Sequence, residues 1–253
     1  MKTIGVILAR AGSKGLPDKC VLPLLGRPVI SYTIGHALAS RRLGDVVLTT
    51  DSQPAAALGV EAGILVVPRP AELATDSARV DAAVRHAVSW YEARTGEPAD
   101  AVVILYGNIP VRAEGIIDRC IEHLERTGCS SVRTVAPVSK QHPDWIHRLD
   151  GDRMVQFRPN SIHRRQDLDP LYYHDGAVVA VTRASLFAAA DSNDPHAFFG
   201  PDRRAVIQEP GDTVDIDTMI DLFQAEAILR YQREIRASQR QSTATTAVAA
   251  GVK

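Results

Sequence analysis

The chain has 253 residues, 45% of them hydrophobic, enough to bury a full core as one large domain or as a domain with an added lobe. Its 29 Lys and Arg against 30 Asp and Glu leave a net charge of -1, which removes the electrostatic case for a general nucleic-acid binder and makes any cationic function local. Three cysteines, Cys20, Cys120 and Cys129, form neither an even framework nor a CxxC pair, which argues against disulfides and structural zinc and makes a reducing cytoplasm the expected setting.

In chain order, "MKTIGVILA" has only about six apolar residues before Arg10, short of a secretory core of roughly seven to fifteen. Nor does any window reach the roughly eighteen apolar residues of a membrane helix. The β-rich runs "TIGVILA", "DVVLTT", "GILVVP" and "AVVILY" each lead into a stretch patterned for helix or loop. That alternation predicts a mostly parallel sheet with helices on both faces, whose ligands sit at the carboxyl ends of the strands. Arg10 to Lys19, Thr50-Asp51 and Tyr106 to Arg112 fall at such ends.

Helices are predicted from Pro28 to Ser40, on the stripe Ile30, Ile34, Ala37 and Leu38, and at about 77 to 93, 113 to 127 and 217 to 235. Residues 138 to about 175 break this rhythm and read as an inserted arm with a hairpin around Asp150-Gly151. Within it and just beyond, His142, His147, His163 and His174 have spacings that fit no zinc motif and are expected at the surface. The main domain is read as residues 1 to 237, and 238 to 253, lacking periodicity and large apolar residues, as a disordered tail.

The stretch "ILARAGSKGLPDK", residues 7 to 19, carries the first chemistry. Gly12 and Gly15 let backbone amides converge on phosphate oxygens, while Arg10, Lys14 and Lys19 oppose negative charge. The spacing is neither GxxxxGK[ST] nor GxGxxG. A solvated turn is the bland alternative; the position after the first strand favours a polyphosphate. In "VDIDT", alternation of an extended segment puts Asp215 and Asp217 on one face, fit to share a magnesium ion that takes one or two carboxylates plus phosphate oxygens. Helix capping explains Thr218 and Asp221 equally well, but leaves Asp215 unexplained.

These stretches resemble the acylneuraminate cytidylyltransferases, the CMP-sialic acid synthetases. The glycine loop, "TTDS", "RPAELATDSA", "RRQDLDPLYYHDGAVVA" and "DTVDIDTMIDLFQAE" follow the family's order across roughly residues 1 to 230. The resemblance implies a three-layer, mostly parallel Rossmann-like nucleotidyltransferase sheet with an inserted dimerisation arm. It also implies a magnesium-dependent homodimer that joins CTP to an acidic sugar. On this reading Ala9, Arg10, Gly12, Ser13, Gly15, Lys19, Arg69, Ser77 and Tyr106 bind nucleotide. Arg165, Gln166, Asp175 and Arg112 bind the acceptor, Asp215 and Asp217 hold magnesium, and Arg10, Lys19 and Asp217 are catalytic.

Three departures from the pattern bear on substrate. Cys20 stands where the family has asparagine, Tyr106 to Ile109 replace Gln-Pro-Thr-Ser, and Asp175 replaces a neutral amide. Another nucleotide, a sugar phosphate or phosphonate acceptor, and a nucleotide-binding pseudoenzyme are the alternatives these changes leave open.

Overall fold

Runs that are apolar without alternation become central strands, because helices cover both of their faces. In a computed structural model, which describes residues 1–12 and 15–250 with side chains through 239, "TIGVIL" forms β1 (Thr3–Leu8) with every residue buried. A small clip, β2 (Pro23–Leu24) and β3 (Arg27–Pro28), leads into α1 (Val29–Ala39), β4 (Val46–Thr50), α2 (Gln53–Glu61) and β5 (Leu65–Pro68). Then come α3 (Val80–Thr95), β6 (Ala101–Tyr106), α4 (Ile116–Thr127) and β7 (Ser131–Pro137). The hairpin β8 (His147–Asp150) and β9 (Arg153–Gln156) precedes β10 (Tyr172–Thr182), α5 (Arg183–Ala188), β11 (Arg203–Ile207) and α6 (Met219–Ala250).

The seven-stranded sheet has the order β11-β7-β10-β6-β1-β4-β5, and β10 alone runs against its neighbours. In-register pairing of Leu8 with Thr49 and Tyr106 brings the carboxyl ends of β1, β4 and β6 to one edge. The reversed β10 puts His174 to Gly176 at that same edge, and a register break there lifts Asp175 out of the ladder. One core layer joins α1 and α4 to the sheet through Ile30, Ile34, Ile117 and Ile121; the other joins α3 and α5 through Val84, Val88, Tyr91 and Leu186. At about 25 cal/mol per Å² of apolar surface removed from water, each such side chain contributes about 1.5–3 kcal/mol. A third cluster, with Tyr32, Ile216, Leu222 and Ala225, seats α6 on α1.

Several boundaries move for local reasons. Helix α4 starts at Ile116 rather than 113 because Gly115 takes φ 69°, and α3 starts at Val80 because Arg79 is still extended. Beyond Ser238, α6 continues as helix to Ala250, where Ala244, Ala247, Ala249 and Ala250 favour that conformation; residues 251–253 lie outside the described residues. His142 is not at the surface. It is 1% exposed, its Nδ1 accepting the Asp144 N–H at 3.2 Å and its Nε2 facing the Asp169 carbonyl at 3.1 Å, so it pins the base of the arm. Among the described residues no helix is long and apolar enough to cross a membrane.

The loop after β6 is held by Arg112, and here the acceptor-binding expectation is corrected. Its guanidinium is buried and donates to the carbonyls of Ala177 (2.8 Å), Ile109 (2.5 Å) and Tyr106 (2.9 Å) and to Thr33 Oγ1 (2.9 Å). Burial pushes its pKa down to about 9, so it stays charged at neutral pH, solvated by carbonyl dipoles. Four of its five N–H donors are thus engaged by the protein itself, and at 5% exposure the head has little access to a substrate carboxylate. Replacing Arg112 by Met keeps the apolar stem and strands its acceptors, with an expected loss of about 3 kcal/mol, read as a lower midpoint in urea unfolding. Full stability with a raised acceptor KM would restore the substrate role.

Candidate active site

The carboxyl ends of β1, β5 and β6 open onto a cavity of about 490 Å³, lined among others by Arg10, Gly15, Lys19, Cys20, Arg69, Tyr106, Asn108 and Asp217. Eight of the predicted site residues or departures thus share one wall system. After β1 the chain turns through Gly12 at φ 66°, a conformation costly for a residue with a Cβ. The Ala11 N–H donates to Asp51 Oδ1 at 2.8 Å, which ties the turn to the end of β4. Ser13 and Lys14 lie outside the described residues.

The turn then runs into the late aspartates. A Cβ on Gly15 would lie 2.8 Å from the Asp217 carbonyl oxygen, a distance that real Cβ atoms do not adopt, so the two backbones meet only because residue 15 is glycine. Lys19 Nζ donates to Asp217 Oδ1 at 2.5 Å. Asp221 accepts from the N–H groups of Asp217 (3.1 Å) and Thr218 (2.7 Å), capping α6 as the sequence allows, and so leaves Asp217's side chain to the cavity. Capping therefore falls to Asp221 and does not occupy the Asp217 carboxylate.

Asp215 is fixed from the other side, by Asn108 Nδ2. Desolvation first, and the neighbouring Asp217 second, hold Asp215 above the ordinary carboxylate range. Two carboxylates that repel each other beside Lys19 fit a hard cation that also takes phosphate oxygens. Among the described residues, no group of three or more His, Cys, Asp and Glu side chains is arranged to hold a metal alone.

On the opposite wall Arg10 pairs with Asp76 at 2.6 Å. Arg69 donates from Nη2 to the Thr49 carbonyl at 2.8 Å and from Nε to Thr49 Oγ1 at 3.3 Å; burial lowers its pKa. Tyr106 lies between this cavity and the α3 layer, and burial raises its phenol pKa. Ala9 is buried behind the turn, and Ser77 is exposed beside Asp76 with its hydroxyl 3.4 Å from that of Thr75. Cys20 is 6% exposed, and burial pushes its thiol pKa up to about 11, as suits a packing residue.

Two groups of expected residues lie away from this cavity. Arg165 and Gln166 sit on an exposed turn of the arm, where Arg164 pairs with Asp167. Asp175 sits at the sheet edge, its carboxylate receiving Thr134 Oγ1 (2.5 Å), the Ala177 N–H (3.0 Å) and Gln208 Nε2. Its charge is thus met by donors. The sequence reading put Asp51 and Asn108 at ligand-facing strand ends but gave them, like Asp76, no partner in the site. Asp51 and Asp76 stand in the quoted "TTDS" and "ATDSA" stretches, and Asn108 inside the segment read as a departure.

The family described as Cytidylyltransferase matches residues 4–173. N-acylneuraminate cytidylyltransferase of Streptococcus agalactiae serotype V is 31% identical over 93% of this chain and 55% of that protein, so the chain spans about half the length of such relatives. CMP-N,N'-diacetyllegionaminic acid synthase of Legionella pneumophila is 29% identical over 92% of this chain and 99% of its own. Pseudaminic acid cytidylyltransferase of Campylobacter jejuni is 26% identical over the same two shares, 92% and 99%. In fold, a solved structure of CMP:2-keto-3-deoxy-manno-octonic acid synthetase complexed with CTP superposes with a TM-score of 0.68 at 18% identity, covering 92% of this chain and 100% of that one.

The raised pKa of Asp215 has a thermodynamic sign. The folded state favours the protonated acid, so folding stability falls as pH rises through the carboxylate range and the charge appears. Asp215→Asn removes that cost. In chelator at pH 7 its Tm is expected to equal or exceed that of the unmodified protein, while its gain in Tm on adding CTP and magnesium shrinks. A lower Tm in chelator would contradict the electrostatic account.

Proposed function

The chain belongs to the cytidylyltransferase family, and from that premise we propose that it couples CTP to an acidic ulosonic sugar, giving a CMP-sugar and pyrophosphate. The anomeric hydroxyl oxygen forms a bond to the α-phosphorus, the bond from that phosphorus to the bridging oxygen breaks, pyrophosphate leaves, and the hydroxyl proton is released. The observation that carries this reading is the meeting of the glycine turn with the Asp215–Asp217 segment at the mouth of one cavity.

In this assignment Arg10 and Lys19 contact the triphosphate, exchanging Asp76 and Asp217 for phosphate oxygens when nucleotide enters. Ala9, Gly12 and Gly15 belong to the segment assigned to phosphate, as does Ser13 by its place in the sequence. Arg69, Ser77 and Tyr106 approach the nucleoside. Asp215 and Asp217 would hold magnesium, which when bound neutralises triphosphate charge and polarises the phosphorus. Lys19 and Arg10 add fixed positive charge where negative charge builds up, so catalysis rests on positioning and electrostatics. The acceptor class follows from the relatives named for sialic, legionaminic and pseudaminic acids. Asp175 does not bar an acid, because three donors already face its carboxylate.

Arg165 and Gln166 are proposed to grip the acceptor from the arm across a homodimer. Leu149 and Met154 face each other across the hairpin and are 71% and 64% exposed, an apolar pair suited to a second copy. Leu149→Glu together with Met154→Glu is expected to convert a dimer to monomer in sedimentation; an unchanged mass would place the contact elsewhere.

The reaction itself is tested by pyrophosphate release with each of four nucleoside triphosphates against ulosonic acids, sugar phosphates and phosphonates. CTP with an ulosonic acid is expected to give turnover, and Asp217→Ala to lower kcat by about 10²-fold or more. Turnover with a sugar phosphate alone would move the substrate assignment, and unchanged kcat in Asp217→Ala would remove the metal role.

A further inference from the structure

Asn108 lies in the segment that departs from the family's Gln-Pro-Thr-Ser, and it lines the cavity. It is 8% exposed and lies two residues beyond the end of β6. Gly107 lets it reach that place: a Cβ there would stand 3.0 Å from the Leu8 carbonyl oxygen and 3.4 Å from Cys20 Sγ, so the loop can lie against the end of β1. The small thiol at position 20 is part of that fit, and two of the departures in sequence are therefore one packing solution. From there the Asn108 backbone carbonyl accepts the Ile216 N–H at 3.0 Å, and the next turn of the loop pairs Val111 with Val214.

The side chain has a defined polarity. Nδ2 donates to Asp215 Oδ1 and to the Ile216 carbonyl at 3.1 Å. Both neighbours are pure acceptors, so the amide can be seated only with its nitrogen toward them. Both hydrogens are then engaged. Oδ1 has no hydrogen-bond partner among the described residues and keeps some access to solvent, and Asn108 lines the cavity. An oxygen with no hydrogen cannot bind phosphate oxygens. It can accept from an O–H or N–H or ligate a cation, and of the groups that the transfer reaction proposed above must bring to the α-phosphorus, the one with a hydrogen to donate is the sugar hydroxyl.

We propose that Asn108 is a positioning residue with two functions: Nδ2 fixes the orientation of Asp215 and the Ile216 backbone, and Oδ1 accepts the hydrogen of the incoming acceptor hydroxyl. The first function stands on geometry alone; the second rests on the transfer reaction proposed above. The hydroxyl's hydrogen-bond donation orients an oxygen lone pair toward phosphorus, and Asn108 does not itself take the proton, since an amide oxygen is too weak a base.

The test is Asn108→Ala, with Asn108→Ser as a second variant should the first unfold. CTP affinity is measured by calorimetry with and without magnesium, beside acceptor KM and kcat. Removing a partner that orients a metal-holding carboxylate is expected to weaken the magnesium-dependent gain in CTP affinity roughly 10- to 100-fold, with the affinity in chelator within about twofold. Loss of one neutral hydrogen bond should raise acceptor KM about fivefold. A preserved magnesium gain overturns the positioning of Asp215, and an unchanged acceptor KM overturns the role of Oδ1. Should the unmodified protein turn over no acceptor, the transfer reading fails and the hydroxyl role with it, while the magnesium arm still decides the first function. A Tm drop alone, with both readouts unmoved, would make Asn108 a structural residue only.

Discussion

The architecture depends on one close approach: the backbone of the turn after β1 against the carbonyl of Asp217, possible because residue 15 has no side chain. Residues about 200 positions apart in sequence are thereby set around the same volume, with Lys19 and Asp217 bonded across the junction. A phosphate-binding turn alone gives an anion site. An aspartate pair alone gives a weak cation site. Held together, they form a place where a metal-loaded triphosphate can be bound at both its charges, because each half supplies what the other lacks.

The loop following β6 is the keel under that junction. Arg112 holds it from below by donating to three carbonyls and a threonine hydroxyl, and Asn108 holds the aspartate segment from above. A buried arginine with no carboxylate at contact distance among the described residues is unusual, and its cost is offset by the number of dipoles aimed at it. The consequence is a floor whose side chains are already oriented by hydrogen bonds within the protein. Arg10 and Lys19, proposed to take phosphate oxygens, are instead paired with accessible carboxylates.

Much of this was legible in the chain. Uninterrupted apolar runs gave β1, β4 and β6, and the glycines after β1 marked the turn that lines the cavity, since both signals are local. The alternation in "VDIDT" placed Asp215 and Asp217 together, though not the division by which Asp221 caps α6 and frees Asp217. Arg112 was misread because an arginine at a strand's carboxyl end looks the same in sequence whether its head turns outward or down into the layer beneath. Asn108 was missed because its partners lie more than 100 residues away. His142 was misjudged since nothing local says that Asp169 will fold over it.

The central claim is tested most directly by calorimetric titration of CTP with magnesium into Gly15→Ala. A methyl group there would stand 2.8 Å from the Asp217 carbonyl oxygen and must force the turn and the aspartate segment apart. The account predicts that CTP affinity falls at least about tenfold, some 1.4 kcal/mol, while Tm stays close to that of the unmodified protein. Undiminished affinity would mean that the turn and the aspartates do not work as one site.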